Sequence, residues 1–171
     1  MAYGVCVGSI DKSDGVDTLI LQHDDLEITD PNGEGKLVEA VCDSTVALAG
    51  VAGGRSHRAG LAWWNADPIG HVRWDAGMID FGPHLGEVEL LDGCILAFSR
   101  WAIENLRFSP REGFHGYDCD ISSKARAAGK RVVVVDMDVH HHTTLGFKRQ
   151  SSYLDWVDAD REFRERWNVD A

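Results

Sequence analysis

The sequence predicts an α/β protein in which a mixed sheet is flanked by helices within a single domain. Three observations lead there. Short apolar runs of strand length alternate with amphipathic stretches of helical period. One run, residues 18–22, stops abruptly at His23-Asp24-Asp25, and open α/β sheets bind ligands where their strands end. The chain has 171 residues, the size of one domain with a substantial core.

The elements follow in order. Residues 3–8 read as a short buried strand and residues 11–15 as a turn. Residues 18–22 form a second strand, delivering polar groups at its C-terminal end. Pro31 precedes a helix over residues 36–42, with Leu37, Val38 and Val41 on one side. Residues 46–52 are a strand closed by Gly53-Gly54. From 55 to 87 the periodicity fails. That stretch holds Trp63, Trp64 and Trp74 together with His57, His71 and His84. A loop of this length is usually functional or disordered, and its tryptophans argue against disorder. Residues 89–98 read as a strand and residues 100–106 as a short helix. Residues 121–128 form a longer helix, with Asp118 and Asp120 near its start and Gly129 at C′. Residues 131–139 are a β-branched strand ending in His140-His141-His142. The tail, 153–167, is a charged helix anchored by Trp156, Phe163 and Trp167, and its aromatic face could pack on a second subunit in a homo-oligomer.

Composition narrows the function. A net charge of −11 excludes general nucleic-acid binding, which needs a clustered basic surface. An anionic ligand would need a local device, such as a metal or a few arginines. Cys6, Cys42, Cys94 and Cys119 form no C-x-x-C pair, and Cys6 and Cys94 lie in apolar runs, which suits a reducing, cytoplasmic setting. The N-terminus lacks the pattern of a signal peptide, and no run approaches the roughly 20 apolar residues of a membrane span.

Three groups can carry chemistry. His23-Asp24-Asp25-Leu26-Glu27 sets adjacent carboxylates at a strand end, where a hard divalent cation such as Mg²⁺ or Mn²⁺ would compensate them. The same residues also suit a solvated turn. Asp118 and Asp120 at a helix start are either caps or one cap and one general base. Asp120 lies nearer the helix and is the better cap, and Asp118 is better placed to reach a cleft. In a strand, His140 and His142 share one face and His141 takes the other.

In this order and spacing, residues 18 to about 146 resemble the family 2 type of glycosyltransferases with the GT-A fold, in a short, N-terminally reduced form. Leu19-Ile20-Leu21-Gln22-His23-Asp24-Asp25 looks like the family's strand and D-x-D region, with His23 in place of the first Asp. Residues 46–54 resemble the following strand, and Leu90-Leu91-Asp92-Gly93-Cys94 the strand lining the acceptor side. Tyr117-Asp118 stands where the family carries its E-D motif. His142 looks like the histidine that completes the metal site.

The resemblance implies a Mn²⁺- or Mg²⁺-dependent inverting transfer from a nucleotide-sugar donor, UDP-sugar above others, to a hydroxyl acceptor. Asp118 would be the catalytic base. Asp25 and His142 would hold the metal, and Asp24, Asp25 and Gly93 the donor. Asp92, His115, Tyr117, Trp63 and Trp64 would contact substrate, the tryptophans by stacking on sugar faces. The tryptophans equally suit core packing. Residues 1–54 would be a reduced nucleotide- and metal-binding half, 55–150 the acceptor and catalytic half, and 151–171 a C-terminal helix. Much of the usual donor-binding half is missing between the first two strands. A non-catalytic carbohydrate- or protein-binding domain therefore stays open, as do a different metal enzyme and a nucleotidyltransferase. No H-E-x-x-H run or Gly-rich phosphate loop favours the last two.

Overall fold

The computed structural model describes residues 15–110, 115–142 and 150–169. The strand expected over 3–8 lies outside them, as does nearly all of the turn after it. The described residues form a mixed α/β arrangement of two mixed sheets and four α-helices.

The first sheet contains β1 (Thr18–Gln22), β3 (Val46–Gly50), β7 (Gly86–Glu87), β9 (Ile95–Ser99) and β10 (Arg131–Val134), in the order β1-β9-β3-β10-β7. β3 and β10 run parallel, while β9 is antiparallel to both β1 and β3. The sheet is apolar on both faces. Along β9, Ile95 and Ala97 join one core cluster and Leu96 and Phe98 the other, as side-chain alternation requires. Helix α1 (Gly33–Cys42) places Leu37 and Val41 in the first cluster. Helices α2 (Arg100–Asn105) and α3 (Tyr117–Ala127) place Ala102, Ile103, Ile121 and Ala125 in the second. The sheet is thus covered by helices on both sides. Val38 falls off the buried stripe of α1 and is 39% exposed.

The second sheet runs β2 (Leu26–Ile28), β11 (Val139–His141), β5 (Pro68–Trp74), β4 (Ala52–Gly54) and β8 (Leu90–Leu91), with β6 (Gly77–Asp80) paired to β5. It grows out of the first. The chain leaves β1, β3 and β10 through short connections and enters β2, β4 and β11, and β8 leads back into β9. Three expected single strands are therefore each two. Residues 46–52 change sheet at Val51. Residues 89–98 break at Asp92-Gly93-Cys94, and residues 131–139 break over 135–138. The strands of residues 1–54 and 55–150 interleave within both sheets, so these spans are not separate layers.

The long irregular stretch over 55–87 is also more ordered than its sequence suggests. It holds two 3₁₀ turns, His57–Ala59 and Trp63–Asn65, then β5, β6 and β7. Strand β5 is buried at four consecutive positions, Ile69 through Val72. A strand buried on both faces has no polar alternation to betray it.

Trp63, expected at the acceptor, is instead core. It is 4% exposed and packs edge-on against Phe81 and Trp64, with ring centroids 5.3 and 5.8 Å away. Trp63→Ala should lower stability by about 3–5 kcal/mol. Urea unfolding measures this, and divalent-metal affinity in the folded protein should be unchanged.

Candidate active site

Where the two sheets join, the turn after β1 meets the turn before β9. The His23 amide donates to the Cys94 carbonyl at 2.9 Å, and the Leu26 amide to the His23 carbonyl at 3.2 Å. Strand β11 pairs with β2, setting His141 beside Leu26 and His140 beside Glu27. His141 therefore turns inward and is 6% exposed. Its ring lies against Trp74, centroids 4.5 Å apart.

Three groups converge there. His141 Nε2 is 2.9 Å from Asp25 Oδ1 and 3.3 Å from His23 Nδ1, and the ligand-capable atoms of all three residues lie within 4.8 Å of one another. The hydrogen bonds fix the His23 tautomer. The Tyr117 hydroxyl donates to the Gly93 carbonyl at 2.9 Å, so it accepts from His23 Nε2–H at 2.9 Å. His23 Nδ1 then carries a lone pair aimed at His141 and Asp25. Burial, together with the positive charge His141 can carry, lowers the His23 pKa despite the opposing charges of Asp92, Asp25 and Asp24. A neutral imidazole is the form that binds metal. His141 Nδ1 is buried without a hydrogen-bond partner.

His142, expected beside Asp25, presents its imidazole elsewhere. Its amide does reach the Asp25 carbonyl at 2.8 Å. Its ring, however, shares the outer face with His140, centroids 3.9 Å apart, and bonds Glu27 at 3.0 Å. Glu27 and then Asp75 hold its pKa above the ordinary histidine value, against a smaller effect of burial. The alternation of the three histidines is as the sequence predicts, but the inward one is His141. The signal was its spacing from Val139, an apolar residue that shares its face.

The second wall of the site is the start of α3. Tyr117 and Asp118 close on the Asp92-Gly93-Cys94 turn. The Gly93 amide donates to Asp118 Oδ2 at 2.9 Å, and Cys119 N–H donates to Asp118 Oδ1 at 2.9 Å. The Cys94 amide donates to Asp92 Oδ1 at 2.9 Å. Dense surroundings, and then the Asp92 charge, push the Asp118 carboxyl up to about 6. Asp24 is exposed beside this group. His115 stands at the turn that leads into α3, and Gly113 and Phe114 lie outside the described residues. Trp64 is 42% exposed and faces Trp156 of helix α4 (Gln150–Trp167), centroids 6.3 Å apart.

Asp120 has a different task from the capping role expected of it. The residue before α3 is Gly116, with a φ of 78° and no side-chain cap. Asp120 is 2% exposed and accepts from Ser109 Oγ at 2.6 Å, Arg166 at 3.0 Å and Trp167 Nε1 at 3.2 Å. It ties α4 to α3. Burial alone would raise its pKa, but Ser109, Lys124 and Arg166 together lower it. A lowered carboxylate pKa contributes stability that is present above the unfolded value and lost as pH falls through the folded one.

Two outcomes follow. Asp25→Asn and His141→Gln should each weaken Mn²⁺ binding at least about tenfold in calorimetry, whereas His142→Gln should leave it unchanged. Asp120→Asn should cost about 1.5–3 kcal/mol at pH 7, and its deficit against wild type should shrink below about pH 4 in pH-dependent unfolding.

Against known proteins, no family model matches the chain. It is 33% identical over 174 aligned positions to the streptomycin biosynthesis protein StrF of Streptomyces griseus. The alignment takes in 98% of this chain, which spans 58% of the relative's length.

Proposed function

We propose that this chain is a reduced GT-A-type domain that transfers a sugar from a nucleotide-diphosphate donor to a hydroxyl acceptor with inversion. The observation that carries this reading is the convergence of His23, Asp25 and His141 on one point, joined through the Tyr117 hydroxyl to the helix start that carries Asp118, a carboxylate with its pKa raised to about 6. With the His141 Nε2 proton displaced, the donor set fits a divalent cation, since a lone pair on His23, a carboxylate oxygen of Asp25 and His141 Nε2 face each other. Two imidazoles with one carboxylate suit Mn²⁺ better than Mg²⁺, which prefers oxygen ligands. Bound there, the cation would supply positive charge to the leaving diphosphate.

The chain's own residues divide the remaining work. Asp118 takes the acceptor hydroxyl proton as that oxygen bonds to the anomeric carbon and the carbon–oxygen bond to the diphosphate breaks. A carboxyl titrating near 6 is a stronger base than an ordinary aspartate and is still mostly ionised at pH 7. Tyr117 and Gly93 hold His23 in the tautomer that presents Nδ1. Asp24 and Trp74 border the donor, and Asp92 keeps the basicity of Asp118 high. The name of the Streptomyces griseus relative assigns that protein to biosynthesis, which supports a synthetic role for this chain.

One observation favours a second reading, a non-catalytic carbohydrate- or protein-binding domain. Both Asp118 oxygens already accept backbone N–H groups, so the carboxylate also serves to lock α3 to the sheet. Catalysis decides between the readings. With Mn²⁺ and a UDP-sugar, wild type should release UDP above background, and Asp118→Asn should lower the rate by roughly 10²–10⁴-fold with Mn²⁺ affinity retained. Because the base form exists above its pKa, kcat/KM should rise with pH through about 6 and then level. Donor turnover at background in wild type supports the binding domain instead.

A further inference from the structure

On the far side of β5 from His141, a second pair of histidines meets a carboxylate. His71 lies on β5, three residues before Trp74 and so on the opposite face of the strand. The chain after β6 folds back along it, with the Gly70 amide donating to the Pro83 carbonyl at 2.8 Å. This brings the His84 ring to 4.2 Å from that of His71. Asp136 enters from the link between β10 and β11. That link is fixed by Thr29 and Asp30 amides donating to the Asp138 carbonyl, both at 3.1 Å, and by Lys36 Nζ donating to the Asp136 carbonyl at 2.8 Å.

The imidazoles are oriented by other carboxylates. His71 Nε2 is 3.1 Å from Asp138 Oδ1, and His84 Nε2 is 3.1 Å from Asp80 Oδ1. With each Nε2–H held this way, each Nδ1 keeps its lone pair. Both Nδ1 atoms face Asp136 Oδ1, at 4.0 Å from His71 and 3.6 Å from His84. The ligand-capable atoms of the three residues lie within 4.8 Å of one another.

The His71 atom supplies an independent observation. His71 is 6% exposed, and its Nδ1 is buried with no hydrogen-bond partner. Protonating it would leave a buried N–H unpaired, and a buried orphan of this kind costs about 1–3 kcal/mol. A metal ion removes that cost by taking the lone pair. In tetrahedral zinc sites, ligand atoms sit about 3.3 Å from one another, so the contacts of His84 and His71 to Asp136, at 3.6 and 4.0 Å, must close by about 0.3 and 0.7 Å. Carboxylates behind the histidines are the usual outer support of such a centre.

We propose that His71, His84 and Asp136 form a second divalent-cation site, of Zn²⁺ type, with Asp138 and Asp80 orienting its two histidines. Half-exposed His84 and exposed Asp136 leave it open to solvent, so the fourth position is free for water or a small ligand. The site shares no residue with the group around Asp25, and its standing does not depend on the transferase reading.

The test is Zn²⁺ titration of the metal-stripped chain by calorimetry, with Co²⁺ absorption to report coordination. Asp25→Asn serves as the background in which the first site is weakened, so that the loss of a Zn²⁺ equivalent is read against it. In that background, His84→Gln and Asp136→Asn should each bind one Zn²⁺ equivalent fewer. Asp138→Asn should keep the equivalent but weaken it about 10–100-fold. Circular dichroism verifies folding, and His84 and Asp136 are exposed enough for the fold to survive their replacement. Zn²⁺ stoichiometry and affinity that match the Asp25→Asn background in both His84→Gln and Asp136→Asn would overturn the proposal.

Discussion

A Cβ at position 93 would lie 2.3 Å from the Tyr117 hydroxyl and 3.0 Å from Asp118 Oδ2. Real Cβ atoms do not approach a hydroxyl so closely, so a side chain at residue 93 would push the Tyr117 hydroxyl away from the Gly93 carbonyl. This contact does more than pack. Through it the Gly93 carbonyl orients the Tyr117 hydroxyl, the hydroxyl sets the His23 tautomer, and His23 offers a lone pair to the point shared with Asp25 and His141. The Gly93 amide meanwhile holds Asp118. One missing methyl thus connects both halves of the candidate site.

The electrostatic logic follows from that geometry. Asp92, Asp25 and Asp24 act on His23, and Asp92 also acts on Asp118. Burial, and then the Asp92 charge, push the Asp118 carboxyl up to about 6, while burial and the neighbouring imidazole lower the His23 pKa against the acids around it. Asp120, two residues further along, faces cations and titrates low. The same residue type at the same helix end thus has opposite roles. The difference comes from burial and a nearby acid for Asp118, against Ser109, Lys124 and Arg166 facing Asp120 and outweighing its burial.

How much of this was legible depends on how local the signal was. Strand β1 and its polar end were readable because five residues of apolar run break sharply on His23. The helix expected over 121–128 was readable from Gly129, which takes a positive φ of 76°, but it begins at Tyr117, so Asp118 and Asp120 lie inside its first turn and not before it. The role of Asp120 was not readable, because its partners Arg166 and Trp167 lie 46 and 47 residues away. Strand β5 was hidden by its double burial. The choice of His141 over His142 was available from alternation, but only once the strand is known to restart at Val139 after the break over 135–138. Read as one strand from Arg131, the histidines had no such anchor. The His71 group draws on three separate segments, and no spacing in the chain marks them as neighbours.

Strand β9 has a consequence of another kind. It lies between β1 and β3 with every residue buried, and its two ends carry working parts. Before it stands the 92–94 turn, and at its end Ser99 accepts the Ala102 amide to open α2. Backbone amides in such a position exchange with solvent only when the whole domain opens, whereas peripheral strands such as β6 open locally. The turn that seats Tyr117 and Asp118 is therefore tied to a strand whose amides should be among the slowest to exchange of the described residues. Its geometry persists as long as the native state does, and breathing of the outer sheet leaves it in place.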